Sequence, residues 1–497
     1  MKKRIAALVL ALLTILSVLA ACAETKEPGK ETVPPGSETE GETAAKLGVP
    51  EELDYDGRTF TVLTCPGENQ TTEIYWTHFG VEEETADDLN DGVYRANART
   101  EAYLNIEFEN DTSGSLVDTS VYRQHIAADD GAFDEAIWID RFALALAEDG
   151  MVYSMNDLAD YHVDLDQPWW YATLNEYLSI DNKLYLAAGY SDISLFGGMA
   201  IMLFNKTIAT DLQLGNIYQM VYDGTWDFDT MYTMMTSAAK ELDGDQKMTD
   251  ADQWGAVWVD TYWNNPFHAV NGVFIIDKDE YDMPYLSATE DEDLYNIWEF
   301  MLENFHDPAC SYDIKNTSKY SAGHPYENVV NMFADNKALF TGTVPFYLYL
   351  LREKADYGII PFPKTEAVEP GTPYYTYSTG IVAHFAPSTT KDPEFTSAVL
   401  ETTNYYYYKD AIPNYLDVVL AYKQTRDDDS ANMLDMAIKY RRLELGQTFW
   451  FDSAMGAAST VYGSKNGVGV FASTFDSYAA KIESAIERTV DMFEKLG

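Results

Sequence analysis

The feature that most constrains this fold is an alternation of short apolar runs with amphipathic stretches, which plays through once and then starts again. Arg58-Thr59-Phe60-Thr61-Val62-Leu63 is a β-rich run that breaks at Cys65-Pro66-Gly67. Beyond a polar loop containing Tyr75 and Trp76, Leu89, Val93, Ala96, Thr100 and Leu104 fall on one helical face, and Ile106 and Phe108 then alternate as in a strand. Residues 133–139 are another apolar run, with helical spacing over 141–148. Strand, helix, strand, strand, helix at these lengths predicts an α/β lobe on a mixed or parallel sheet. The pattern restarts with a buried strand at 199–206, then a helix after Trp226 that Asp227 or Asp229 caps. Helical spacing returns over 294–305 and 329–333. Two apolar runs, Ala338-Leu339-Phe340 and Tyr357-Gly358-Ile359-Ile360, then enclose an aromatic turn, and the second closes on Pro361-Phe362-Pro363-Lys364. A strand over 380–385 precedes Asp392-Pro393, a cap with proline at the first helical position. The last stretch places Tyr478, Ile482, Ile486, Met492 and Phe493 along one broad face.

The N-terminus sets an address. Met1-Lys2-Lys3-Arg4 is basic, residues 5–18 are apolar but for Thr14 and Ser17, and Leu19-Ala20-Ala21-Cys22 follows. That is the layout of a secretory signal rather than a spanning helix. The tetrapeptide resembles the bacterial lipobox, which implies a signal peptide over 1–21, cleavage before Cys22 and diacylglyceryl attachment to its sulfur. Two acyl chains anchor stably where one is marginal. Residues 22–47, rich in Glu, Thr, Pro and Gly and without an aromatic side chain, cannot bury enough surface to offset chain entropy and read as a disordered tether.

About 450 residues remain, enough for two or three domains by length. The chain is 46% hydrophobic and 14% aromatic, so a large core is available. With Asp+Glu 81 against Lys+Arg 33, the net charge of -48 repels phosphate backbones and anionic head groups. No nucleic-acid partner is expected, and anionic small ligands are disfavoured without being excluded. Once Cys22 is spent on lipid only Cys65 and Cys310 are left, too few for a disulfide framework. Free buried thiols are expected, with a single bridge as the alternative. The seven histidines form no HExxH, and GxSxG, P-loop and GxGxxG motifs are absent. A zinc hydrolase therefore has no support, whereas a working pair of carboxylates cannot be picked out among so many.

The stretch "ELDGDQKMTDAD" sets Glu241, Asp243, Asp245 and Asp252 at the first, third, fifth and twelfth places of an EF-hand-like loop. Glu241 replaces the shorter Asp, Gln246 the turn glycine, and Asp252 the bidentate Glu. An acidic solvated loop is expected, and any calcium held there would be structural and weakly bound. No other cofactor is required.

Four segments in order carry a wider resemblance: "FDEAIWIDRFALALAEDGMVYSMNDL", "KLYLAAGYSDISLFGGMAIMLFNKTI", "MFADNKALFTGTVPFYLYLLREKADYGIIPFPK" and "STGIVAHFAPSTTKDPEFTSAVLETTNYYYY". From about Leu53 to its end the chain resembles the extracellular solute-binding lipoproteins of carbohydrate ABC importers, the broad group that includes maltose-binding proteins. The resemblance implies a two-lobe α/β fold of the type II periplasmic-binding-protein kind, with hinge strands between lobes and C-terminal helices. Lobe 1 would be 48–197 and 363–412, and lobe 2 would be 198–362 and 413–497. It further implies a monomeric, non-enzymatic receptor, lipid-anchored on the outer face of the bacterial membrane, that captures a neutral carbohydrate and hands it to permease subunits.

By the same resemblance Trp138 would stack on a sugar, Asp140 would accept from its hydroxyls and Arg141 would donate to them. The alternative makes Trp138 core and Asp140–Arg141 a surface ion pair. Tyr190 and Asp192 sit at the first crossing, Tyr75 and Trp76 after the first strand, and Phe346 and Tyr347 in the aromatic turn. Trp263 with Asn264 pairs an aromatic with an amide, and Trp450, between Phe449 and Phe451, matches a late aromatic. Trp226 reads as core. Rival functions are a surface glycan-processing enzyme and a binding protein for peptides or other small solutes.

Overall fold

A computed structural model describes residues 45–65, 79–86, 88–115, 118–259, 264–289, 292–321, 325–351, 354–378, 380–416, 427–464 and 467–496. Cys22, Tyr75, Trp76 and Trp263 lie outside the described residues.

Phe60, Val62 and Leu63 are fully buried on β1 (Arg58–Leu63), which runs between two parallel partners, β2 (Ile106–Asp111) and β3 (Glu135–Ile139). β12 (Val382–Phe385) closes this first sheet antiparallel to β3, giving the order β12-β3-β1-β2. All five residues of β3 are buried, as befits a strand covered on both faces. Helix α1 (Asp88–Leu104) buries Val93, Ala96, Thr100 and Leu104, the face predicted from their spacing.

The second sheet has the order β10-β4-β9-β5-β8. β4 (Ile201–Asn205) lies antiparallel to both β10 (Tyr357–Ile360) and β9 (Ala338–Thr343), while β5 (Trp254–Trp258) runs parallel to β9 and to β8 (Ser311–Asp313). β5 was not evident in the sequence. Its glycine has a structural cause, since a Cβ on Gly255 would come within 2.3 Å of the Met235 carbonyl oxygen in helix α3 (Phe228–Ala238). Asp227, not Asp229, caps α3, its side chain accepting from Thr230 N at 2.9 Å. The aromatic turn between β9 and β10 is a 3-10 helix, Pro345–Leu351. The proline-flanked exit is pinned where Trp226 Nε1 donates to Pro361 O at 2.9 Å and Phe228 N donates to Lys364 O at 2.9 Å.

The chain thus enters the second sheet at β4 and returns to the first at β12, whose downstream helix α4 (Pro393–Tyr406) is capped by Asp392 with Pro393 in its first turn. A short parallel pair, β11 (Thr376–Tyr377) with β13 (Arg441–Arg442), lies on the return path. Helix α5 (Phe471–Leu496) buries Phe475, Ile482, Ile486 and Phe493 and packs on β7 (Pro284–Leu286), which forms a hairpin with β6 (Ile276–Lys278). α5 also contacts helix α2 (Asp140–Glu148), which follows β3 of the first sheet. Cys65, half-buried, and Cys310, buried, are free thiols, so the single bridge does not form. Among the described residues no helix is long and apolar enough to cross a membrane.

Candidate functional site

β3 delivers Asp140 and Arg141 to the start of α2, and the two neighbours part company there. The Asp140 carboxylate is buried and accepts from Arg141 N at 2.7 Å, Ile381 N at 3.3 Å and Thr448 Oγ1 at 3.3 Å. Burial pushes its carboxyl up to about 6, against those hydrogen bonds. Asp192 does the matching job on the next residue, accepting from Val382 N at 3.0 Å and from Ser194 N at 2.9 Å, and burial again pushes it up to about 6. Two buried carboxylates therefore hold consecutive backbone N–H groups of the strand that returns to the first sheet. The expected ligand role for Asp140 and Asp192 meets lone pairs already taken up inside the protein. The surface ion pair is not what forms either, because a backbone hydrogen bond joins Asp140 to Arg141.

Arg141 turns outward. Its Cζ lies 4.9 Å from the centre of the Phe142 ring and 5.1 Å from that of Phe451. It lines a cavity of about 520 Å³ between α2, the segment around Trp450, and α5. Phe142, Phe449, Phe451, Glu148, Asp452, Lys481, Arg488 and Thr489 complete much of the wall. Trp450 is buried, stacks on Phe449 with ring centres 5.1 Å apart, and donates from Nε1 to Thr489 Oγ1 at 3.0 Å. The Thr489 hydroxyl in turn reaches Glu148 Oε1 at 2.5 Å, and burial raises the Glu148 carboxyl. Phe451 is 39% exposed, so an aromatic face is open to a guest. A wall of aromatic rings interrupted by guanidinium, ammonium and carboxylate groups suits a ligand with an apolar face and a polar rim. Arg141 and Trp450 are thus brought together from opposite ends of the sequence. Lys481 and Arg488 escaped the sequence reading, although Lys481, Ala485 and Arg488 fall on one face of the last helix, beside the apolar stripe.

Trp138 goes the other way. It is fully buried, edge-on to Tyr122 at 6.5 Å, and a Cβ on Gly114 would come 2.9 Å from its Cη2. It packs as core because the face of β3 it occupies is covered, with Tyr122 and the chain at Gly114 against its ring, so the stacking role has no open ring face here. Tyr190 is 8% exposed, stacked on Tyr171 at 4.8 Å and edge-on to Tyr408 at 5.0 Å. Arg441 covers this group with its Cζ 4.3 Å above Tyr171 and donates to Leu195 O at 2.6 Å. The Tyr405-Tyr406-Tyr407-Tyr408 run was the available signal for that cluster. Phe346 is half-buried and Tyr347 buried. Asn264 is buried, its Oδ1 2.9 Å from His306 Nε2, inside the second lobe rather than in the cavity. Trp226 is core, as expected.

In the acidic loop, one carboxylate oxygen from each of Glu241, Asp243 and Asp252 lies within 4.8 Å of the others. Asp245 is outside that group. Asp252 accepts from Leu242 N at 2.7 Å and Thr249 N at 2.8 Å, Asp243 accepts from Asp245 N at 3.0 Å, and Glu241 accepts from Gly244 N. These carboxylates already brace the loop through its own backbone. Glu241, Asp243 and Asp252 are the residues that would present oxygens to a calcium ion, which would add bracing and no chemistry.

No protein-family model matches this sequence, and no curated protein does either. Solved structures do share its architecture. A sugar transporter from Rhizobium etli in an open conformation superposes with a TM-score of 0.54 at 13% identity, covering 88% of this chain and 99% of that one. UspC from M. tuberculosis gives 0.53 at 12% identity, covering 87% and 100%. An ABC substrate-binding protein from Listeria monocytogenes in complex with cycloalternan gives 0.51 at 11% identity, covering 88% and 99%. The chain therefore has the two-lobe α/β fold of these substrate-binding proteins.

Proposed function

We propose that this protein is the substrate-binding component of an ABC importer, capturing a sugar or oligosaccharide between its lobes and delivering it unchanged to permease subunits. The observation that carries the reading is the fold shared, over nearly their whole lengths, with a sugar transporter and with a substrate-binding protein that holds cycloalternan. The Arg141–Phe451–Trp450 cavity supplies the matching chemistry, an aromatic face bordered by hydrogen-bonding groups. Capture works by differential affinity: a guest that touches both α2 and the C-terminal segment favours the closed arrangement by its extra contacts there. The strand crossings held by Asp140 and Asp192 are where such closure would bend. The protein acts as a monomer on the outer face of the bacterial membrane, anchored through lipid on Cys22.

The test is a thermal-shift screen of the purified chain against mono- and oligosaccharides, with peptides as controls. A ligand at 100 times its Kd that binds only the folded state adds about 2.7 kcal/mol, a plainly visible shift. Stabilisation by one glycan class, recovered intact, is the expected result. A shift with peptides alone would overturn the sugar assignment, and hydrolysed glycan would overturn the receptor assignment.

A further inference from the structure

The cavity is anomalous in charge. Across the chain acids outnumber cations 81 to 33, and several cations elsewhere are taken up by an acid, as in Arg58–Asp392, Arg99–Asp410 and Arg123–Asp149. Yet Arg141, Lys481 and Arg488 converge on one cavity. Among the described residues none of these three has a carboxylate within ion-pair distance. Arg141 has aromatic rings for company. Lys481 donates to the backbone carbonyl of Asp452 at 3.0 Å. Arg488 reaches Glu148 only through its field, while the Glu148 carboxylate is engaged by the Thr489 hydroxyl. The remaining acid of the wall, Asp452, is exposed.

We propose that the saccharide bound in this cavity carries an anionic group, a uronic carboxylate or a sulfate or phosphate ester, recognised by Arg141, Lys481 and Arg488. The inference rests on the receptor reading above and names its substrate class. Phe142 and Phe451 contact the Arg141 guanidinium, restricting a fork that suits the bidentate geometry of a carboxylate. Lys481 and Arg488, seven residues apart on one face of α5, present two more donors from the opposite wall. The chain's overall negative charge does not forbid this. Its field is screened beyond about 10 Å at ordinary salt, whereas contacts inside a cavity with apolar walls are screened far less.

The test is calorimetric titration of the full chain with three probes: an oligogalacturonide, the neutral oligosaccharide of the same linkage, and a sulfated oligosaccharide. The acidic probe is expected to bind at least about tenfold tighter than its neutral counterpart, and to lose about tenfold in Arg141→Gln and in Lys481→Gln. Both side chains are exposed, so the variants keep the fold, and in each variant the neutral sugar is expected to lose less affinity than the acidic probe does. Tight binding of the sulfated probe alone would support the proposal with an ester as the anion. Equal affinity for acidic and neutral sugars, or equal losses for both in the variants, would overturn it while leaving the receptor reading standing. Failure of all three probes, with no other saccharide binding, would overturn both.

Discussion

Asp140 and Arg141 show how little a residue's type says about its work until its surroundings are known. The carboxylate is spent on Ile381 N, Thr448 and its neighbour's backbone, and the guanidinium faces a cavity. Their substitutions should separate accordingly. Asp140→Ala strands a buried N–H and a hydroxyl, and is expected to cost about 2–4 kcal/mol in denaturant unfolding. Arg141→Ala removes only exposed ring contacts and should cost less than about 1 kcal/mol while abolishing most ligand affinity. A large stability loss in Arg141→Ala would show that it is structural. Its resemblance to a known segment marked the dipeptide as a site candidate. That Asp140 and Arg141 would divide the labour was not legible, because Ile381 and Thr448 lie hundreds of residues away.

At the scale of elements, the sequence spoke clearly where periodicity was one-sided. α1 presents its apolar residues every third or fourth position, and the C-terminal helix does likewise. β5 was silent because a strand buried on both faces has no alternation to read, and a five-residue apolar run with a glycine fits a loop equally well. Gly255 is what lets α3 rest on β5, with the Met235 backbone where a Cβ would stand. Gly255→Ala must therefore push helix from strand, and a loss of about 2–4 kcal/mol is expected from the resulting misfit. Differential scanning calorimetry would detect it, and a neutral result would mean that the layers can separate without penalty.

For the whole molecule the governing quantity is the number of protons held by buried groups. Burial raises Asp140 and Asp192 to about 6, and Glu401 and Glu444 to about 7. Each of these carboxyls binds a proton more tightly folded than unfolded, so its contribution falls as pH rises from the ordinary carboxylate range through the folded value. His268 and His306, pushed down by burial to about 4, act in the opposite direction between that value and their unfolded range. Four carboxyls outweigh two imidazoles, and relief of self-repulsion in so acidic a chain adds to the same side. Below the carboxylate range the balance reverses, because Asp427, where burial is outweighed by the Lys206 hydrogen bond and others, is held low and loses that stabilisation on protonation. The melting temperature should therefore be highest within the ordinary carboxylate range, about pH 4, and decline toward pH 8. A melt that rises steadily over that interval would show that these carboxyls stay ionised inside.

The sequence by itself determined the α/β alternation, its restart, the apolar faces of the helices and the cap at Asp392, and it narrowed the cap of α3 to Asp227 or Asp229. All of these depend on neighbours within a few residues, where backbone geometry sets the spacing. It also marked Arg141 and Trp450 as site candidates. Only the tertiary structure decided that Trp138 is core, that Asp140 and Asp192 grip successive residues of one returning strand, and that Lys481 and Arg488 join Arg141 around a single cavity. Burial and convergence are set by contacts between distant parts of the chain, and no local pattern records which side chains will meet when two sheets and a last helix close on one another.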